Sequence, residues 1–126
     1  MNRHMELQYK VERLQDVAVV SLSGRMVRGA ALDNLRRRIE QLGRIRMLEL
    51  DLTEVSQLDA GGIGTLLLVR RWALQNSVKM ELVNPPYFFR RILDATHLTT
   101  VFQISSLKQA ICILRTPASA PRFATA

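Results

Sequence analysis

The chain has 126 residues, 48% of them hydrophobic, which suits one domain with a real core. Its formal net charge of +7 asks for an acidic partner or a wet basic surface, and its single cysteine, Cys112, excludes an internal disulfide and a cysteine metal cluster. No apolar stretch reaches the roughly 18 residues of a membrane span, and MNRHMELQYKVE lacks the apolar h-region of a secretory signal, so the cytoplasm is the expected location, with no direct membrane insertion.

Residues 1–4 are expected to be a flexible N-terminus. MELQYKV alternates, with Met5, Leu7, Tyr9 and Val11 on one side, and predicts a half-buried strand. LQD is the expected turn into a second, more apolar strand, VAVVSLSG, and the short spacing predicts an antiparallel hairpin. AALDNLRRRIEQLG follows with helical periodicity and is expected to stop at Gly43. On that helix Leu32, Leu35, Ile39 and Leu42 share one face, while Arg36, Arg37 and Arg38 fan over the others. No aromatic residue interleaves with these arginines, so they read as a solvated face rather than a nucleic-acid surface.

RMLELDL predicts the third strand, GGIGTLLLVRRWALQN the second helix and VKMELVN the fourth strand. PPYFFRRILDAT predicts a third helix with proline in its first turn, and LTTVFQI a short fifth strand. SSLKQAICIL predicts a final helix capped by Ser105 or Ser106, and residues 116–126 have the composition of a disordered tail. The order β-β-α-β-α-β-α-β-α predicts an α/β fold: one domain over residues 5–115, with a mostly parallel mixed sheet of about five strands.

Catalytic constellations are sparse. His4 and His97 sit in no metal-ligand pattern, and Cys112 falls among helical apolar residues as a structural thiol would. There is no G-x-S-x-G elbow, and DAGGIGT lacks the lysine of a phosphate-binding P-loop. Asp51 and Asp59 form a carboxylate pair only in name, since no other catalytic group accompanies them. No enzyme activity, metal or cofactor is expected. Asp59 itself stands where a helix N-cap would stand. Gly61 and Gly62 after it read in two ways: bare amides open to an anion, or residues that let the helix pack tightly on the sheet.

The stretch LELDLTEVSQLDAGGIGTLLL resembles the signature of the STAS domain family, the anti-sigma factor antagonist fold. Members carry a strand ending in D-L-S/T-x-V, then D-S-S/T-G-L-G-x-L. Asp51, Leu52, Thr53 and Val55 match the first half, and Asp59, Gly62, Ile63, Gly64 and Leu66 the second. VAVVSLSGRM resembles the family's second strand, and the run from Val78 to Ile104, with its apolar pair Val101 and Phe102, resembles its later elements.

The resemblance implies helices mainly on one face of the sheet. It also implies a partner-binding corner at Asp59, Ala60, Gly61, Gly62 and Ile63, with Asp51 and Thr53 marking the motif strand end. The implied partner is an anti-sigma factor that is also a serine kinase of the GHKL type. In the family that kinase phosphorylates a serine or threonine directly after the motif aspartate, and the phosphate breaks the complex. Here that position is Ala60, followed by Gly61, so the usual switch is missing and an always-competent binding module is one consequence. Ser56 and Thr65 are the nearby hydroxyls. The resemblance also admits a STAS subunit of a membrane transporter, of the lipid ABC type among others, or of a larger signalling assembly, or nucleotide binding at the helix start, and leaves a homodimer open.

Overall fold

The structure, a computed structural model, describes residues 6–106. Strands β1 (Gln8–Leu14) and β2 (Val17–Met26) form the expected antiparallel hairpin. The turn is tighter than LQD suggested: Leu14 still pairs with Val17, and Gln15 takes a left-handed φ of 56°. Helix α1 (Ala30–Glu40), β3 (Met47–Leu58), α2 (Ala60–Gln75), β4 (Lys79–Val83), α3 (Tyr87–Ala95) and β5 (Gln103–Ser105) follow. The sheet order is β1-β2-β3-β4-β5, and every pair after the hairpin is parallel. The expected final helix and tail, with Cys112, lie outside the described residues.

One core accounts for this arrangement. Ala18, Val20 and Leu22 of β2, Leu48, Leu50 and Leu52 of β3, and Met80 and Leu82 of β4 project from one sheet face. Leu32, Leu35 and Ile39 of α1, Leu66, Val69 and Ala73 of α2, and Phe89 and Leu93 of α3 meet them there. At roughly 2 kcal/mol per buried aliphatic side chain, this shared cluster is the main stabilising term. The loop into β3 is pinned from the hairpin, because the Arg13 guanidinium donates to the carbonyls of Leu42 and Arg44.

Three elements depart from their expected bounds. Helix α1 ends at Glu40 with Gln41 as its C-cap, and Gly43 sits beyond it at φ 80°, turning the chain toward buried Ile45. Strand β5 spans three residues, and Leu98–Phe102 form turns, although Phe102 is still buried. Strand β3 continues six residues past Leu52, through the polar run TEVSQL. That extension pairs with β2 alone, since β4 ends opposite Asp51. The register slips twice there, each time by one extra residue in β3, and Gly24 takes φ 92° opposite the second slip. The result is a two-stranded arm that carries the end of β3, and the start of α2, beyond the rest of the sheet.

Candidate functional site

The arm ends at Asp59. Its extended backbone stops the strand, and its side chain caps α2: Oδ1 accepts from the Gly62 amide at 2.9 Å. Both carboxylate oxygens also accept from the Arg28 amide, at 3.2 and 3.1 Å, and the Asp59 amide donates to the Met26 carbonyl at 3.3 Å. One residue therefore closes β3, starts α2 and fastens the link between β2 and α1. The Gly62 amide, followed by the amides of Arg28 and Gly61 and the Arg28 charge, holds the carboxyl below its ordinary pKa of 3.8, against the opposing effect of burial.

The two glycines are there for packing. A Cβ on Gly62 would collide with the Met26 carbonyl oxygen and come within 2.7 Å of Leu58 Cδ1. A Cβ on Gly61 would lie 2.8 Å from the Arg28 Cβ and 3.0 Å from its Cα. The space beside both is filled by this chain, and the Gly62 amide is already engaged by Asp59. The reading in which they expose bare amides to an anion is therefore corrected in favour of close helix packing. Gly64 differs, because nothing lies within 4 Å of where its Cβ would stand.

Ala60 is exposed at the first position of α2, and Ile63 is half-buried one turn on. Leu67 and Leu68 continue the helix as exposed apolar side chains. Of the nearby hydroxyls, Ser56 is exposed on β3 itself, not on a link between strand and helix, and Thr65 is buried.

Asp51 and Thr53 do not join this corner. Asp51 lies eight residues before Asp59, up to about 26 Å at ~3.3 Å per residue of strand. Instead the Thr53 amide and hydroxyl donate to Asp51 Oδ1 at 3.0 and 2.6 Å. Asn84, at a left-handed φ of 52°, donates through Nδ2 to Thr53 Oγ1 at 3.0 Å and through its amide to the Ser105 carbonyl at 2.8 Å. This network ties the middle of β3 to the exits of β4 and β5. Sequence reasoning missed Asn84. Its signal was an asparagine before Pro85–Pro86, a pattern that stops a strand and tolerates left-handed backbone. His97 lies in a turn at φ 60°. Among the described residues no cluster of three or more His, Cys, Asp or Glu is placed to hold a metal, and no helix is long and apolar enough to cross a membrane.

Comparison with known proteins agrees with this architecture. The family model described as STAS domain matches residues 8–110. An anti-sigma factor antagonist from Mycobacterium paratuberculosis superposes with a TM-score of 0.75 at 22% identity, covering 91% of this chain and 99% of that one. The anti-sigma factor antagonist SpoIIAA in its unphosphorylated form superposes with a TM-score of 0.72 at 20% identity, covering 86% and 96%. A sulfate transporter family protein from Wolinella succinogenes gives 0.66 at 12% identity, covering 80% and 86%. At these identities the superpositions establish the fold.

Proposed function

The chain belongs to the STAS domain family, and on that premise we propose that it is a non-enzymatic protein-interaction module of the anti-sigma factor antagonist kind. Its binding surface is the corner at Asp59, Ala60, Gly61, Gly62 and Ile63, the first turn of α2 and the adjoining surface of α3. The partner is an anti-sigma factor with serine kinase character, of the GHKL type, in the cytoplasm, and its capture frees a sigma factor for transcription. The observation that carries this reading is the exposure of Ala60 on a corner whose aspartate is wholly engaged in shaping it. A rigid strand-to-helix junction presents a small side chain to solvent, and Leu67 and Leu68 continue it as exposed apolar surface.

Related antagonists exist in an unphosphorylated form, as SpoIIAA does. A methyl group at position 60 keeps this chain sterically in that state permanently, because it offers the kinase no hydroxyl. The module is then regulated by its abundance or by its partner. The test is titration of purified chain against the anti-sigma kinases of its host by calorimetry, with Ala60→Asp alongside. Binding that the aspartate weakens supports the reading. A partner captured from the host that is a transporter subunit, with no affinity for any kinase, replaces it with the transporter reading that the Wolinella likeness allows.

A further inference from the structure

The sheet face turned away from the helices carries a feature that the corner does not use. Side chains alternate along a strand, so with Leu48, Leu50 and Leu52 in the core, Met47, Glu49 and Asp51 point to the opposite face. The register sets Glu49 directly beside Glu81 of β4, on strands about 4.8 Å apart. Glu49 is 0% exposed and Glu81 6%. Among the described residues, neither carboxylate oxygen of Glu49 nor Oε1 of Glu81 has a hydrogen-bond partner, and the Ser105 hydroxyl on the same face is buried without one. Two adjacent carboxylates cannot both stay ionised there without large desolvation and repulsion.

The surrounding charges select the compensation. Lys79 Nζ lies 3.8 Å from Glu81 Oε2, so Glu81 has a cation, whereas among the described residues Glu49 has none. Asp51, two residues along β3 and on the same face, adds a second like charge. Strand β2 faces the pair with Val19 and Ser21, and β5 with Gln103 and Ser105, none of them charged. On β1, Lys10 and Glu12 satisfy each other at 3.4 Å on the exposed edge, two strands away. We propose that Glu49 and Glu81 form a proton-binding site on the reverse face of the sheet, in which the pair takes up one proton, that makes the packing of β3 respond to pH. The proton comes from solvent and resides mainly on Glu49. Burial first, then the charges of Glu81 and Asp51, push the Glu49 carboxyl from 4.5 up to about 7. The same strand ends at the Asp59 corner, yet the inference stands whether or not that corner binds a kinase.

Between those two pH values the folded chain holds a proton that the unfolded chain has released. Stability is therefore greatest in mild acid and falls as pH rises, until the folded-state pKa is passed. The test is carbon-13 carboxyl NMR titration of the full chain, with urea unfolding from pH 4 to 9 on wild type, Glu49→Gln and Glu81→Gln. The Glu49 resonance should titrate near neutrality, and the wild-type folding constant should fall about 300-fold across the range, the factor implied by displacement from 4.5 to about 7. Glu49→Gln should abolish this slope. Glu81→Gln should lower the Glu49 midpoint while leaving it above 4.5, because burial is the larger cause. A Glu49 midpoint near 4.5, or a Glu49→Gln variant that keeps the wild-type slope, overturns the inference. If Glu49→Gln does not fold, the wild-type titration alone decides.

Discussion

Replacing the three glycines in the first turns of α2 by alanine, one at a time, should separate packing from helix propensity. At Gly62 the added methyl meets the Met26 carbonyl oxygen and sits 2.7 Å from Leu58 Cδ1. The carbonyl belongs to β2 and cannot swing away as a side-chain tip would. The start of α2 must therefore retreat, which stretches the 3.3 Å bond from the Asp59 amide to Met26 and the bonds from Arg28 to the Asp59 carboxylate. Overpacking of this kind costs about 1–3 kcal/mol and a weakened cap about 1 kcal/mol, offset by up to ~1 kcal/mol of helix propensity. The net expectation for Gly62→Ala is a loss of about 2–3 kcal/mol. At Gly61 the contacts with Arg28 are milder, at 2.8 and 3.0 Å, and a loss of about 1 kcal/mol is expected. At Gly64 nothing is met, so Gly64→Ala should gain about 0.5–1 kcal/mol. Urea unfolding followed by circular dichroism at pH 7 measures all three. Stability should rank Gly64→Ala above wild type, then Gly61→Ala, then Gly62→Ala. A Gly62→Ala protein within ~0.5 kcal/mol of wild type would refute the packing argument.

Incubated with a cognate anti-sigma kinase and ATP, the wild-type chain should take up no phosphate at position 60 by mass spectrometry, whereas Ala60→Ser should become phosphorylated there; phosphate on exposed Ser56 of the wild type would mean that the switch has moved. Ala60→Asp should weaken partner binding by about 1–3 kcal/mol in calorimetry if the interface is desolvated, because it adds like charge beside Asp59. Asp59→Ala should cost about 1 kcal/mol at pH 7 by loss of the cap. Since the folded-state pKa of Asp59 is lowered, that difference should persist above about pH 4 and vanish as pH falls through the lower folded value, which acid unfolding of the two proteins will show. Thr53→Val should cost about 1 kcal/mol in the same unfolding assay, by leaving Asp51 Oδ1 and Asn84 short of partners.

The order of elements through β5 was legible because hydrophobic periodicity is strong wherever a segment has one wet side, as in α1, or two dry ones, as in LELDL. The far half of β3 was not legible. TEVSQL pairs with a single neighbour across two register slips, so its pattern of burial follows no period of two. Strand β5 was placed too early because Val101 and Phe102 are apolar for core packing rather than for strand pairing. Glu49 and Glu81 were missed for a simpler reason: a glutamate inside an apolar strand reads as the polar side of an alternating pattern, and only the register shows that the two meet in a buried place.

The corner residues divide by what the fold requires of them. Asp59 is fixed by three backbone amides at one junction, of Gly62, Arg28 and Gly61, and Gly62 by a carbonyl that leaves no room for a methyl. Any chain that turns from this arm into this helix needs residues of those types, whatever it binds. Their match to the family motif therefore speaks for the fold, as superposition at 20–22% identity does. Ala60 is under no such demand. It is exposed, and its side chain makes none of the bonds that hold the junction. A serine there would cost the fold almost nothing, so folding alone does not dictate alanine at this position. Gly61 also departs from the phosphorylatable pattern, but its contact with Arg28 gives it a packing duty, so variants at position 60 are the ones that test the proposed surface without disturbing the fold.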